Sequence, residues 1–243
     1  MFLASIRQYL SKDGKDQFYF DFLNGPHISP GFPGIERFYR PPFYQYWPTE
    51  HTVQDITTAR DWLCRYLAEN GPYDGIMMFS QGCTLGLSTI LLSNETESNH
   101  HHRPHTSFKF AIFICGAPSL EELDHFGFTV KPAARNLSEI LRTGTTVESN
   151  TQLSTRTEDL NSFVTEVLAP LVSGSNLVNI PTVHIIGIKD QLYLPGLQLA
   201  GLCAPEKRIM YDHGGGHEIP RSKDASLKIV ELVQWAVEQA QLV

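Results

Sequence analysis

The chain has 243 residues, 42% hydrophobic and 19% charged, with a formal net charge of −7 at pH 7. The apolar share fills a sizeable core and excludes a disordered chain. The net acidity gives no electrostatic reason to expect nucleic acid or an anionic membrane as a partner.

The opening residues, Met1 to Arg7, form too short an apolar run for a signal peptide and lack a basic leader. A helix is expected over Phe2–Leu10. No apolar stretch reaches the roughly 18 residues that span a bilayer. Gln17–Leu23 is aromatic-rich and reads as a strand, closed by the turn signal Asn24-Gly25-Pro26. Residues 26–50 carry six prolines and seven Phe, Tyr or Trp residues. That density of proline predicts an irregular segment, and its aromatic content predicts a loop folded over the core or a pocket. Val53–Ala68 places Ile56, Ala59, Leu63, Tyr66 and Leu67 on one helical face, and Gly71-Pro72 ends it.

Gly75–Phe79 then reads as a strand and Cys83–Leu92 as a helix. Residues 94–105 are polar and read as disordered, and Phe108–Cys115 is a second buried strand. Residues 130–156, rich in Ser, Thr, Arg and Asn, read as an insertion or mobile lid. A helix is expected over Thr157–Leu171, a strand over Thr182–Ile188, and a short helix over Leu192–Leu202. A last strand follows at Arg208–Tyr211, and an amphipathic helix over Ala225–Gln241. Strands alternating with helices at this spacing predict an α/β fold, a mostly parallel sheet with crossover helices on both faces. No internal repeat is visible, and residues 1–243 are expected to form one domain. Cys64, Cys83, Cys115 and Cys203 show no pairing pattern and read as reduced residues of a cytoplasmic protein.

In a parallel sheet, functional side chains collect at the C-terminal strand ends. Ser80 follows the Gly75–Phe79 strand, in Met78-Phe79-Ser80-Gln81-Gly82. Asp190 follows the Thr182–Ile188 strand. His217 follows the Arg208–Tyr211 strand, in Gly214-Gly215-Gly216-His217-Glu218-Ile219-Pro220. The order Ser, Asp, His and the strand–serine–helix turn are those of a nucleophile elbow and its partners. A serine hydroxyl needs a base, an imidazole is the base suited to neutral pH, and a carboxylate fixes the imidazole tautomer.

Each residue also has a plainer reading: Ser80 and Asp190 as helix N-caps, His217 as an exposed turn residue. Their joint placement at successive strand ends favours the triad. His213 competes with His217 as the base. The expectation rests on His217, because the glycines lead into it and Ile219-Pro220 anchors the chain beyond it. His100, His101, His102 and His105 cluster in a polar stretch. A solvated loop is preferred there to a metal site, and neither metal nor cofactor is expected.

These segments together resemble the fungal serine hydrolase family of the α/β-hydrolase superfamily. The matching pieces are Phe20-Asp21-Phe22-Leu23-Asn24-Gly25-Pro26, Gly71-Pro72-Tyr73-Asp74-Gly75-Ile76, Phe79-Ser80-Gln81-Gly82, Phe113-Ile114-Cys115-Gly116-Ala117-Pro118, Pro181-Thr182-Val183-His184-Ile185-Ile186-Gly187 and Gly215-Gly216-His217-Glu218-Ile219-Pro220. The resemblance implies esterase or thioesterase chemistry through Ser80, Asp190 and His217, on an acyl or polyketide substrate, free or carried by a carrier protein. It also implies a backbone oxyanion donor at Gln81.

Two departures are expected to matter. Met78 stands where the elbow motif has glycine, and is expected to crowd the turn or lean toward the serine. The strand ending in His-Gly that opens the family's pattern is not seen ahead of residue 17. That leaves no obvious second oxyanion donor, and an open sheet edge that a homodimer partner would cover. Phe43, Tyr44 and Trp47, with Met78, are expected to line the substrate pocket, core packing being the equal alternative for the aromatic segment. The readings carried forward are an ester or thioester hydrolase acting through acyl-Ser80, a non-hydrolytic polyketide cyclase using the same pocket, and a catalytically silent binding protein.

Overall fold

The computed structural model describes residues 6, 9–12, 15, 16, 18–31, 35–37, 39–99, 108–132, 134, 135 and 177–241. Two short antiparallel hairpins come first. Strands β1 (Ser11–Lys12) and β2 (Lys15–Asp16) form one, and β3 (His27–Ser29) and β4 (Phe43–Gln45) the other. Helix α1 (Val53–Asn70) is followed by strand β5 (Gly75–Phe79), helix α2 (Gln81–Asn99), strand β6 (Phe110–Ile114) and helix α3 (Leu120–His125). After the segment outside the described residues come strand β7 (Thr182–Ile186), helix α4 (Tyr193–Gly201), strand β8 (Arg208–Asp212) and helix α5 (Lys223–Gln241).

Strands β5, β6, β7 and β8 make a sheet in that order, every pair parallel. The side-chain period of two in β6 explains the layering. Ala111 and Phe113 turn into the cluster that holds Ile56 and Leu63 of α1 and Leu85 of α2. Ile112 and Ile114 turn the other way, onto Ile229 and Val233 of α5. A strand buried on both faces must be apolar throughout, as Phe-Ala-Ile-Phe-Ile is.

Local signals set the helix ends. Thr52 caps α1 through a reciprocal box with Asp55, accepting from its N–H while its own N–H reaches the Asp55 carboxylate. Pro195 lies in the first turn of α4, where its missing N–H has no intrahelical acceptor to lose. Arg60 of α1, Ser88 of α2 and Glu122 of α3 meet in a buried network, the guanidinium 3.2 Å from the Glu122 carboxylate and the Ser88 hydroxyl donating to it at 2.5 Å.

Several expectations change. Phe18–Leu23 forms no strand. Its rings alternate as in an extended chain, Phe18 to Phe20 and Phe20 to Phe22 each 6.2 Å between centroids, but no described residue pairs with it in a ladder. Among the described residues β5 is correspondingly an edge strand, with no strand paired between it and Phe18–Leu23. Residues 26–50 are not wholly irregular: β3 and β4 pair within them, because prolines cluster in the connection and not in the strands. Helix α2 continues to Asn99 through a stretch expected to be irregular. Ile6, Tyr9 and Leu10 of the expected first helix are helical, and Ile6 and Leu10 enter the core. The lid expected over 130–156 falls mostly, and the helix over 157–171 wholly, outside the described residues. Among the described residues no helix is long and apolar enough to cross a membrane.

Candidate active site

Ser80 stands between β5 and α2 with φ +54, in the left-handed region that a non-glycine residue occupies only under constraint. The constraint is visible on both sides: Ser80 N–H donates to Ile114 O of β6 at 2.9 Å, and Ser80 O accepts from Cys83 N–H at 2.9 Å. This bend lifts the side chain out of the sheet.

Asp190 follows β7 through a tight turn, its N–H donating to Gly187 O at 2.8 Å. Its side chain is almost wholly buried, and Oδ1 accepts from Leu192 N–H at 2.8 Å, which fixes the carboxylate plane. His217 arrives on the loop after β8. That loop runs so close to β7 that a Cβ on Gly187 would lie 2.4 Å from Gly215 O, so only glycine fits there. Lys189 N–H donates to Gly215 O at 2.9 Å and ties the two loops together.

The three side chains meet. Ser80 Oγ is 2.8 Å from His217 Nε2. His217 Nδ1 is 2.9 Å from Asp190 Oδ2 and 3.1 Å from Oδ1. A carboxylate only accepts, so Nδ1 carries the proton and Nε2 is left to accept from the Ser80 hydroxyl. That is the tautomer a general base requires. Phe79 packs its ring on His217, centroids 5.2 Å apart.

His213 does not reach Ser80. Its Nδ1 accepts from Gly215 N–H at 3.3 Å, and its Nε2 lies 3.7 Å from Cys115 Sγ. Cys115 itself ends β6 at φ +49. Burial, and then the facing Asp190 carboxylate, push its thiol pKa up to about 12.

Gln81 opens α2, so its backbone N–H has no intrahelical acceptor and lies at the positive end of the helix dipole. Its side chain has a separate task, not foreseen from sequence. Oε1 accepts from Tyr46 N–H and Nε2 donates to Trp47 O, both at 2.8 Å. The amide thereby clamps the aromatic segment to the elbow.

Of the expected pocket lining, Met78 borders the cleft beside β5, whereas Phe43, Tyr44 and Trp47 do not. Met78 does not lean toward the serine. It is buried under α2, and a Cβ on Gly86 would lie 1.8 Å from its sulfur. The glycine that the elbow lacks at 78 is thus matched by one at 86. Trp47 is core, 3% exposed, against Tyr46 and His51. Phe43 packs toward Gly31 and Ile35, and Tyr44 is exposed on the hairpin. The aromatic residue that does reach the elbow is Tyr46, whose ring a Cβ on Gly82 would meet at 3.7 Å. A cleft of about 1460 Å³ begins at Phe79 and Gly82 and follows the open side of β5, with Tyr46, Leu23 and Phe20 on its other wall.

The chain is similar to several known proteins. A family model described as Serine hydrolase (FSH1) matches residues 2–229. The esterase FPY3 of Fusarium mangiferae is 28% identical over 90% of this chain and 80% of its own length. The esterase alnB of Emericella nidulans is 27% identical over 91% of this chain and 87% of its own. Among solved structures, the α/β-hydrolase domain-containing protein 10 from mouse matches with a TM-score of 0.41 and 15% identity, over 78% of this chain and 70% of that one. The chain belongs to the serine hydrolase (FSH1) family.

Proposed function

We propose that the protein cleaves an acyl ester or thioester through an acyl-Ser80 intermediate. The observation that carries this reading is the continuous chain Ser80 Oγ, His217, Asp190, with separations of 2.8 and 2.9 Å. His217 Nε2 takes the proton as Ser80 Oγ attacks the carbonyl carbon, and the Gln81 backbone N–H donates to the oxygen that becomes negative. His217 returns the proton to the departing alcohol or thiol, then deprotonates the water that releases the acid. Asp190 holds the ring and stabilises the imidazolium.

The cleft argues for the acyl partner. Where it borders the elbow, at Phe79 and Gly82, apolar and aromatic side chains wall it, among them Tyr46, Leu23 and Met78. That favours a long apolar or polyketide acyl chain, and the similarity to proteins named as esterases favours an ester linkage.

Turnover of long-chain acyl esters in ¹⁸O-labelled water tests this. Hydrolysis places one labelled oxygen in the acid, and Ser80→Ala abolishes the product. A Ser80-dependent product that takes up no label would replace hydrolysis with cyclisation.

A further inference from the structure

Behind the His217 ring lies a group of side chains that hydrolysis uses only in part. Cys115 Sγ, an Asp190 carboxylate oxygen and a His217 ring nitrogen all lie within 4.8 Å of one another. Three strand ends deliver them, those of β6, β7 and β8. Cys115 holds a left-handed φ of +49, pinned by its N–H to Ile185 O at 2.9 Å, and its thiol has no part in acyl transfer. The Asp190 carboxylate is already oriented by Leu192 N–H at 2.8 Å, the kind of outer contact that fixes a metal ligand.

Tetrahedral zinc binds sulfur at about 2.3 Å and nitrogen or oxygen at about 2.0–2.2 Å. The carboxylate and Nδ1, 2.9 Å apart, already stand close to one edge of such a tetrahedron. Thiolate, imidazole and carboxylate together are a donor set that suits zinc far better than magnesium or calcium. His213 lies outside the ligand set. Its Nδ1 accepts from Gly215, so its proton sits on Nε2 and points at the Cys115 sulfur; burial and the Asp190 carboxylate keep that sulfur a thiol until a cation arrives.

We propose that these residues form an inhibitory zinc site, Zn²⁺ being held by Cys115 Sγ, the Asp190 carboxylate and His217 Nδ1, with water in the fourth position. The ion reaches the site from the His217 side, the most exposed of the three ligands. Binding displaces the Cys115 thiol proton to solvent. The proton on His217 Nδ1 moves to Nε2, so the ring keeps one proton and nothing is oxidised. Nε2 then presents N–H to Ser80 Oγ, 2.8 Å away, and cannot accept the hydroxyl proton. The metal thus locks the base in its wrong tautomer.

The inhibition rests on the hydrolase reading above; the binding does not. Binding is therefore measured on chelator-treated Ser80→Ala protein, by zinc calorimetry and by the absorption spectrum with Co²⁺. One ion per chain and a thiolate-to-cobalt charge-transfer band are expected. Adding Cys115→Ser removes the band and weakens zinc by roughly 100-fold or more, at least the loss seen when metal-site support is removed. Asp190→Asn gives a second reading of the same site should Cys115→Ser fail to fold.

In the wild type, ester turnover falls as zinc binds and returns with chelator. Zinc bound without a thiolate band, for instance by His100, His101, His102 and His105, or bound as tightly after Cys115→Ser, overturns the site. Zinc bound with full turnover overturns the inhibition alone. A protein that binds zinc as described but hydrolyses nothing without it leaves the site standing and removes the hydrolase reading.

Discussion

At the residue scale, the choice between two histidines in one loop is decided by what each ring already touches. His217 has Ser80 Oγ at one nitrogen and Asp190 at the other, whereas His213 is committed to Gly215 N–H and the Cys115 sulfur. His217→Ala is therefore expected to lower kcat by roughly 10⁴-fold or more. His213→Ala, which removes a ring packed beside Gly187, should cost less than about tenfold. Steady-state kinetics on the two variants checks this, and the reverse ranking would mean that the loop re-aims in solution.

Met78 carries the second lesson at this scale. A residue that breaks the elbow motif is tolerated because Gly86, two turns along α2, leaves room for its sulfur. Gly86→Ala should cost about 1–3 kcal/mol through overpacking. Met78→Ala should recover part of that in the double variant, so the pair should be non-additive by more than about 0.5 kcal/mol in urea unfolding. Additive losses would show that the two do not share the space.

At the scale of elements, the parallel strands were the legible part. Gly75–Phe79 runs to the residue as its apolar pattern indicates, and β7 and β8 differ from expectation by one or two residues at their ends. The central strands β6 and β7 are buried on both faces, so their sequences record the core directly, while β5 and β8 are only partly buried. Phe18–Leu23 has an equally strand-like pattern, alternating rings included, yet no ladder forms. A strand is a property of its neighbours, and no described residue pairs beside it. The β3–β4 hairpin shows the converse: a proline-rich stretch reads as loop, although the pairing residues between the prolines remain free to join.

The Ser, Asp and His positions were legible because each follows the C-terminal end of a parallel strand. The Gln81 clamp and the Cys115 thiol were not, because they depend on distances between segments 34 to 98 positions apart and not on any local pattern. The aromatic part of the pocket lining was misassigned for the same reason. Trp47 looks like a wall residue in a linear reading, and packing turns it into the core.

At the scale of the molecule, the sheet that positions the site also carries a pH liability. His184 lies in the middle of β7, stacked on Phe113 with ring centroids 5.1 Å apart, and burial lowers its pKa to about 3. It is neutral in the folded protein, while the unfolded chain binds a proton near pH 6.5. The unfolded state thus holds more protons between about pH 6.5 and 3, so stability falls as pH drops through that window. The steepest contribution is about 1.4 kcal/mol per pH unit from this one group. Urea unfolding from pH 7 to 4 should show that slope in the wild type, and a well-folded His184→Phe variant should show less of it.

The same sheet brings the ends of β5, β7 and β8 together, so one covalent test of Ser80 reads both fold and chemistry. Labelling with a fluorophosphonate probe, followed by peptide mass spectrometry, tests the nucleophile directly. The wild type should carry one phosphonyl adduct on Ser80, and folded Ser80→Ala should carry none. A folded wild type that resists labelling, or a Ser80→Ala variant that labels equally, would contradict the account.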